Sequence, residues 1–224
     1  MNAKEKIARR AALELHDGEY VNLGFGIPTA VSNYTPKGVN VFLQAENGCL
    51  HFGPAPKKGM EDGDIGNAGG QPITFVPGSA VFDLATSFMM IRGGYMDGTY
   101  LGALEVDQEG NISNWALPLG EKRYSPGPGG AMDLVSGAKH VVALLTHTNN
   151  KGVSKIKKKC SLPFTGVHCV DTIITELAVF SVASDGLVLK ELVPEMSVDE
   201  LRKITEADFT VAEDLRPYQI SEEQ

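Results

Sequence analysis

The stretch "VNVFLQAENG", residues 39–48, carries a carboxylate out of the end of a strand-like segment. Its first seven residues are apolar or β-branched enough to predict a buried strand, and Asn47 and Gly48 predict a tight turn directly after Glu46. The residues that follow, through "GPAP" at 53–56, predict a rigid loop that is neither helix nor sheet. We therefore expect Glu46 to emerge at the edge of a sheet where ligands bind.

Strands and helices alternate outward from this stretch along most of the chain. "YVNLGFG" at 20–26 predicts a strand that runs into glycines, a short helix follows over 27–34, and "HVVALLT" at 140–146 predicts another buried strand. This alternation predicts an α/β fold, a largely parallel open sheet with helices on both faces. The ligand crevice of such a sheet lies at the carboxyl ends of its strands. No repeat or linker divides the chain, so we expect a single domain over residues 1–224.

Local signals predict the remaining elements. They are a helix over 4–15, a Gly/Asp-rich loop over 53–70, a strand over 72–76, a helix over 80–91 capped by Ser79, a hairpin around "DQEGN" (107–111), a glycine-rich loop over 125–133 before a short helix, strands over 172–182 and 187–193 around the turn "ASDG" (183–186), a helix over 198–205 with a Ser197–Glu200 capping box, and a last strand over 209–213.

Composition limits the class of function. The chain has 224 residues and a formal net charge of −8, which disfavours a non-specific binder of nucleic acid or anionic membranes. Its three cysteines lack the spacing of a metal site and indicate free thiols in a reducing compartment. The first ten residues lack the apolar segment of a secretion signal, and no apolar run approaches about 18 residues. We expect a cytoplasmic protein.

Glu46 has two interpretations, a surface carboxylate at a strand end or a nucleophile. The apolar strand before it, the tight turn and the rigid exit favour the second, because a carboxylate held in this way can attack an acyl donor. Three glycine clusters support a site, because strand-end glycine loops bring N–H donors to a phosphate or an oxyanion. They are "NLGFGIP" (22–28), "GNAGG" (66–70) and "GPGG" (127–130), and none matches the dinucleotide or Walker motif.

Other candidate motifs do not carry a site. "SGAK" at 136–139 and "SKIK" at 154–157 match Ser-x-x-Lys, but they lack the supporting motifs of a penicillin-binding site. The five histidines have no metal-ligand spacing, so we expect structural roles for them and no metal site. The basic run at 151–160 predicts a solvated loop, with contact to a ligand phosphate as the alternative.

Longer motifs carry a resemblance. They are "AENG", "GPAP", "NAGG", "SFMMIRGG", "LGALEVDQEGNISNW", "GGAMDLVSGAKHVV" and "TELAVFSV". Through them nearly the whole chain resembles the B (beta) subunit of family I CoA-transferases, of the 3-oxoacid, butyrate–acetoacetate or acetate type. The family's fold, which is similar to that of ribose-phosphate isomerase, agrees with the α/β prediction.

The resemblance implies a reaction and a site. Glu46 would attack an acyl-CoA of the acetoacetyl-CoA type, and a glutamyl-CoA thioester on Glu46 would then pass CoA to a second carboxylic acid. Coenzyme A thioesters are substrates in this scheme, and no cofactor is needed. Gly127, Gly129 and Gly130 would form the loop that stabilises the oxyanion, and Asn47, His51 and Asn67 would line the substrate pocket.

The resemblance also implies a partner, a separate A (alpha) subunit in a hetero-oligomer such as A2B2, with the active site at the A/B interface. The chain departs from the family pattern at Ala45, where Ser is usual, at His51, where Gly is usual, and at Pro128, where Met is frequent. His51 is the residue that we expect to influence the acid substrate. Two alternatives remain, an acyl-CoA hydrolase and a non-catalytic ligand-sensing module of the same fold.

Overall fold

The computed structural model describes residues 1–120 and 124–221, so the end of the predicted domain at residue 224 lies outside the described residues. The strands in these ranges are β1 (Tyr20–Leu23), β2 (Phe42–Ala45), β3 (Cys49–Gly53), β4 (Thr74–Val81), β5 (Gly98–Gly102), β6 (Glu105–Asp107), β7 (Ile112–Ser113), β8 (Ala116–Pro118), β9 (Tyr124–Pro126), β10 (Val141–Leu144), β11 (Ile156–Lys157), β12 (Thr172–Ile174), β13 (Ala178–Ala183), β14 (Gly186–Leu192) and β15 (Phe209–Pro217). The α-helices are α1 (Ala3–Ala11), α2 (Leu84–Arg92), α3 (Ala131–Gly137) and α4 (Val198–Ile204), and 3₁₀ helices span Ala12–Glu14 and Pro28–Tyr34.

Parallel strands form the centre of the main sheet, whose order is β15-β14-β13-β12-β10-β5-β1-β2-β3-β4 over the described residues. The pairs from β12 to β2 are all parallel. All four residues of β10 are buried, as in a strand with both faces covered. The predicted fold, a largely parallel sheet with helices, is therefore confirmed.

Two groups of helices cover these central strands. The first contains α1 and the 3₁₀ helix Pro28–Tyr34, and α1 also contacts β10 and β12. The second contains α2 and α3, which pack on each other, and α3 contacts β5. A Cβ on Gly137 would collide with the carbonyl oxygen of Ile91, so the end of α3 approaches α2 as closely as only glycine allows. This contact fixes where the first turn of α3 lies.

The prediction of a loop after Glu46 was wrong. Cys49–Gly53 forms the strand β3, which pairs antiparallel with both β2 and β4. Backbone pairing on both sides outweighs the local glycine and proline signals, which lie at or beyond the end of the strand. Glu46, Asn47 and Gly48 are thus the turn of a hairpin, and the Gly/Asp-rich loop begins after β3.

Two further expectations were wrong in detail. Ser79 lies inside β4, and the side chain of Asp83 caps α2 by accepting a hydrogen bond from the Thr86 amide. The expected strand over 172–182 is two antiparallel strands, β12 and β13. The chain reverses at Thr175, whose Oγ1 accepts from the amides of Leu177 and Ala178. In both places a short polar side chain satisfies backbone donors, at the start of α2 and at the turn between β12 and β13.

Other local predictions are confirmed. The Ser197–Glu200 capping box begins α4, and hairpins join β6 to β7 and β13 to β14. Within residues 1–120 and 124–221, no helix has the length and apolarity that crossing a bilayer requires.

His147 makes the stability of the fold depend on pH. Its ring is fully buried between Thr175 Oγ1 (3.2 Å) and Thr205 Oγ1 (2.9 Å), and burial lowers the pKa of His147 from 6.5 to about 4. The unfolded chain therefore binds more protons than the folded chain between these two values, and this contribution to stability is complete above pH 6.5 and is lost as the pH falls toward 4.

We expect the free energy of unfolding to fall by up to about 3 kcal/mol from this residue over that interval. His147→Gln removes the titrating group, so the variant should lose less stability between pH 6.5 and 4 in urea titrations. His16→Gln, at an exposed site, is the control. Identical pH dependence for the wild type and His147→Gln would contradict the assignment.

Candidate active site

Glu46 lies at the carboxyl end of β2, in the turn that joins β2 to β3. Ala45 pairs with Cys49 across this turn, and the Gly48 amide donates to the Ala45 carbonyl at 3.0 Å. Gly48 has φ +121°, and a Cβ at this position would collide with the carbonyl oxygen of Phe82. Glycine is therefore required beside Glu46, because the turn packs directly against the segment that leads into α2.

The third glycine cluster, "GPGG", meets the Glu46 side chain. The Gly130 backbone N–H lies close enough to the Glu46 carboxylate to lower the pKa of that group. A Cβ on Gly130 would lie 2.6 Å from Glu46 Oε2 and 2.9 Å from Phe88 Cζ, so no larger residue fits without displacement. The structure thus brings together Glu46 and the glycine loop, which are 84 residues apart in the sequence.

The other two glycines of that cluster differ in their positions. The Gly127 amide donates to the Trp115 carbonyl at 3.2 Å, so this N–H is already engaged. Gly129 has φ +50°, and a Cβ there would lie 3.8 Å from Glu46 Oε1. Of the three predicted loop residues, Gly130 and Gly129 therefore lie next to the carboxylate, and Gly130 is the nearer of the two.

Burial and charge act in opposite directions on Glu46. Burial raises the pKa of the carboxyl group, the Gly130 N–H lowers it, and the negative charge of Asp133 raises it further, with a net upward shift. Asp133 lies in the first turn of α3 and accepts a 2.6 Å hydrogen bond from Arg92 Nε. The result is a partly desolvated carboxylate with one backbone N–H beside it, a state in which a carboxylate is a better nucleophile than it is in bulk water.

A row of buried polar side chains ties the Glu46 strand to α2. Asn22 Nδ2 donates to Gln44 Oε1 at 2.6 Å, and Gln44 Nε2 donates to Ser87 Oγ at 2.7 Å. Gln44 and Glu46 are two residues apart, so they point to the same face of the sheet. Ser87 precedes Phe88, and the row therefore sets the position of Phe88 relative to Glu46.

Sequence reasoning missed Phe88, Asp133 and this polar row. The pattern of alternation along β2 could have placed Gln44 on the same face as Glu46. The contacts of Phe88 and Asp133 depend on how α2 and α3 pack, and no local signal reports that packing.

A cleft of about 820 Å³ contains Glu46 and is called the Glu46 cleft below. It lies between the 3₁₀ helix Pro28–Tyr34, the strands β2 and β3, and the loop after β3. Its lining includes the first glycine cluster (Gly24, Phe25, Gly26), the polar residues Thr29, Ser32, Asn33 and Asn67, and the apolar residues Val39, Val41, Leu43 and Ile73. The first two glycine clusters and Glu46 thus share one cavity.

The predicted pocket residues Asn67, Asn47 and His51 occupy three different settings. Asn67 lines the Glu46 cleft, and its Oδ1 organises the loop by accepting from the amides of Gly69 and Gln71. Asn47 is exposed, is not in the lining, and donates to the Gly66 carbonyl at 2.8 Å.

His51 lies in a bulge of β3 with φ +57°, and it contributes to the cleft lining. Its ring packs 4.8 Å from the ring of Phe42, at the opposite end of β2 from Glu46. The influence of His51 on the acid substrate stays a prediction.

Gly130→Ala tests the close approach to Glu46. Gly130 has φ −86° and ψ 3°, a region of negative φ that is open to alanine, so we expect the effect to come mainly from the space that the new Cβ occupies. We expect a loss of about 1–3 kcal/mol in the free energy of unfolding and a changed Glu46 pKa, because the carboxylate must move from the Gly130 amide. Denaturant titration and NMR of a ¹³C-labelled Glu46 carboxyl group measure the two effects.

Gly63→Ala is the matched control, since nothing lies within 4 Å of a Cβ there. Equal stability and equal Glu46 titration in both variants and the wild type would show that the two groups are not in contact.

Comparison with known proteins identifies the family of the chain. A family model described as coenzyme A transferase matches residues 4–203. The acetate CoA-transferase subunit beta of Haemophilus influenzae is 50% identical over 222 residues, which are 99% of this chain and 98% of that protein. The mouse mitochondrial succinyl-CoA:3-ketoacid coenzyme A transferase 2B is 48% identical over 219 residues, or 97% of this chain and 42% of the mouse protein.

Among solved structures, the apoenzyme of an acyl-CoA transferase from Escherichia coli O157:H7 matches with a TM-score of 0.77 at 23% identity. The match covers 97% of this chain and 43% of that one, and it supports the fold. The family model covers most of the chain, and a relative is 50% identical over 99% of it. The chain therefore belongs to the coenzyme A transferase family.

Proposed function

We propose that this protein is the beta subunit of a CoA-transferase that uses Glu46 as its nucleophile. One observation carries the proposal: the Glu46 carboxylate, partly desolvated, lines a cleft and has the Gly130 backbone directly beside it. Nucleophilic catalysis by a carboxylate needs this combination, because burial removes competing water while a fixed donor meets the charge that develops.

The proposed reaction moves no protons. A Glu46 oxygen attacks the thioester carbonyl carbon. The carbon–sulfur bond then breaks, which releases CoA as a thiolate and forms an acyl-glutamyl anhydride on Glu46. The thiolate then attacks the Glu46 carbonyl carbon, which releases the first acid as a carboxylate and leaves a glutamyl-CoA thioester. A second carboxylate reverses these steps and departs as the new acyl-CoA. Because one thioester replaces another, the scheme requires no ATP, metal or redox cofactor.

The Gly130 N–H has a role in every step of this scheme. Each attack creates a tetrahedral carbon with an anionic oxygen, and a donor already fixed at the N-terminal end of α3 needs no reorganisation to bind it. One such donor typically lowers a barrier by about 3 kcal/mol. Because Gly129 and Gly130 have no side chains, their backbone can approach the reacting carbon. A side chain at either position would prevent this approach.

The substrates proposed are short-chain acids and their CoA thioesters, of the acetoacetyl-CoA type. The names of the relatives, which specify acetate in one and succinyl-CoA with a 3-ketoacid in the other, support this size class. Ala45, Pro128 and His51 are the positions at which the identity of the acid is expected to be adjusted.

A separate alpha subunit is the proposed partner, in a hetero-oligomer such as A2B2. In the mouse relative more than half of the polypeptide lies outside the match to this chain. Here α2 is apolar on its outer side as well as its inner side, with Leu84 58% and Met89 65% exposed, and Met132 of α3 lies 41% exposed. Apolar area of this kind marks an interaction surface, and it adjoins the Glu46 site through Phe88.

The adduct on Glu46 is the direct test of the mechanism. The chain and its alpha partner are incubated with acetoacetyl-CoA in the absence of an acceptor acid, and the peptide that contains Glu46 is analysed by mass spectrometry. We expect a CoA-sized adduct in the wild type and in the control Glu61→Gln, none in Glu46→Gln, and discharge on addition of acetate or butyrate. Discharge by water at a comparable rate would favour a hydrolase, and no adduct despite bound acyl-CoA would refute the mechanism.

The exposed apolar surface formed by Leu84, Met89 and Met132 is tested separately. Met89→Glu places a charge on the outer side of α2, where desolvating it against the alpha subunit is unfavourable, so we expect loss of co-purification and of activity while the isolated chain keeps its stability. Val211→Glu, at a partly exposed position of β15, is the control. Normal assembly of Met89→Glu would place the alpha subunit on another surface.

A further inference from the structure

Arg92 and Asp133 form an ion pair beside the first turn of α3. Arg92 is in the last turn of α2, and its Nε donates to Asp133 Oδ1 at 2.6 Å. The guanidinium carbon also lies 5.9 Å from the centre of the Phe88 ring, four residues earlier on the same helix. The pair takes no part in the proposed reaction, yet it joins the two helices that supply Phe88 and Gly130 to the Glu46 site.

Asp133 occupies a position from which a side chain can cap its own helix. Gly130 is the N-cap residue of α3, and Asp133 is the third residue of the helix. An acidic side chain at this third position can accept the N–H of the N-cap residue, as it does in a capping box. The same chain shows this in α4, where the Glu200 carboxylate accepts the Ser197 N–H at 2.8 Å. Helical side chains tilt toward the N-terminus, which directs Asp133 toward the Gly130 end of α3.

Asp133 does not cap α3 in this way. Among residues 1–120 and 124–221, its carboxylate bonds to Arg92 and makes no hydrogen bond to the Gly130 amide. That amide lies beside Glu46 instead and lowers the pKa of its carboxyl group, while the negative charge of Asp133 raises it. Two carboxylates therefore lie near one N–H, and Glu46 is the one that the N–H stabilises.

The other ionisable groups on the neighbouring elements are engaged elsewhere. The Asp83 carboxylate caps α2, and the His51 ring packs at the opposite end of β2 from Glu46. Within the part of the chain that the structure describes, Asp133 is thus the one charged group that shifts the pKa of Glu46, and Arg92 is the cation paired with it. Any change in that pair reaches Glu46 directly.

We propose that Arg92 is a positioning residue, which holds the Asp133 carboxylate away from the Gly130 N–H and so keeps this donor for Glu46. Without the guanidinium group, Asp133 would accept the Gly130 N–H as Glu200 accepts its N-cap amide in α4, and Glu46 would lose its backbone donor. The catalytic consequence rests on the proposed function. The competition between the two carboxylates does not, because it exists whether or not Glu46 reacts.

Arg92→Met tests the competition in the full chain by NMR. We expect the acid dissociation constant of a ¹³C-labelled Glu46 carboxyl group to fall about tenfold, since a donor to a charged group is lost and the charge of Asp133 is no longer paired. The Gly130 amide resonance should follow the ionisation of Glu46 in the wild type and that of Asp133 in the variant.

Lys139→Met is the matched control. Lys139 and Asp97 form an ion pair at 2.8 Å with side-chain exposures of 62% and 28%, against 67% and 28% for Arg92 and Asp133. We expect this variant to match the wild type in every measurement.

A second substitution separates competition from a simple loss of contact between α2 and α3. In Arg92→Met/Asp133→Ala the competing carboxylate is absent, so the Gly130 amide should again follow Glu46. In the enzyme assembled with its alpha subunit, kcat should fall at least about tenfold in Arg92→Met and recover in the double variant, because the donor returns to the reacting carboxylate.

The outcomes separate this inference from the proposed function. A Gly130 resonance that follows Glu46 equally in the wild type and Arg92→Met would overturn the role of Arg92, and so would a double variant whose Gly130 resonance does not return to Glu46. The expected NMR changes without any change in kcat would support the role of Arg92 and count against Glu46 as the nucleophile.

Discussion

The close approach of the Gly130 amide to the Glu46 carboxylate is the constraint on which the rest of the site depends. It requires glycine at position 130, since a Cβ would overlap both Glu46 and Phe88. It also requires that the first turn of α3 lie beside Glu46. The last residue of α3, Gly137, packs against the Ile91 carbonyl of α2, and this contact fixes the position of the helix. The buried row from Asn22 through Gln44 to Ser87 then holds α2 against the strand that ends in Glu46.

This geometry balances two electrostatic effects. Burial, aided by the charge of Asp133, raises the pKa of Glu46, while the Gly130 N–H opposes that shift. With full solvation the carboxylate would be a weak nucleophile, and without the donor the anionic intermediates of the proposed reaction would lack stabilisation. The Arg92–Asp133 pair belongs to the same balance, because the guanidinium group holds Asp133 at 2.6 Å on the first turn of α3. The described residues that line the cleft include no lysine, arginine or aspartate, so no counterion competes for Glu46 there.

Much of the fold followed from local patterns, and the failures have physical reasons. The periodicity of the parallel strands and the Ser197–Glu200 box were read correctly, because those signals act within a few residues. The strand β3 was missed because its partners, β2 and β4, supply the hydrogen bonds that its own glycine and proline neighbours argue against. Ser79 was mistaken for a helix cap because Asp83, four residues later, fills that position. The contacts of Phe88 and Asp133 with the site had no local signal at all.

The sequence by itself determined the candidate nucleophile and its immediate setting: a carboxylate after a buried strand, a turn of Asn47 and Gly48, and glycine loops able to present amides. These depend on side-chain type and on short-range backbone preferences, which sequence records directly. Only the tertiary structure decided which amide meets Glu46, that Gly127 uses its N–H elsewhere, and that Asn47 lies outside the cleft. Those facts depend on contacts between segments far apart in the chain, where the packing of whole helices, and not local preference, sets the distances.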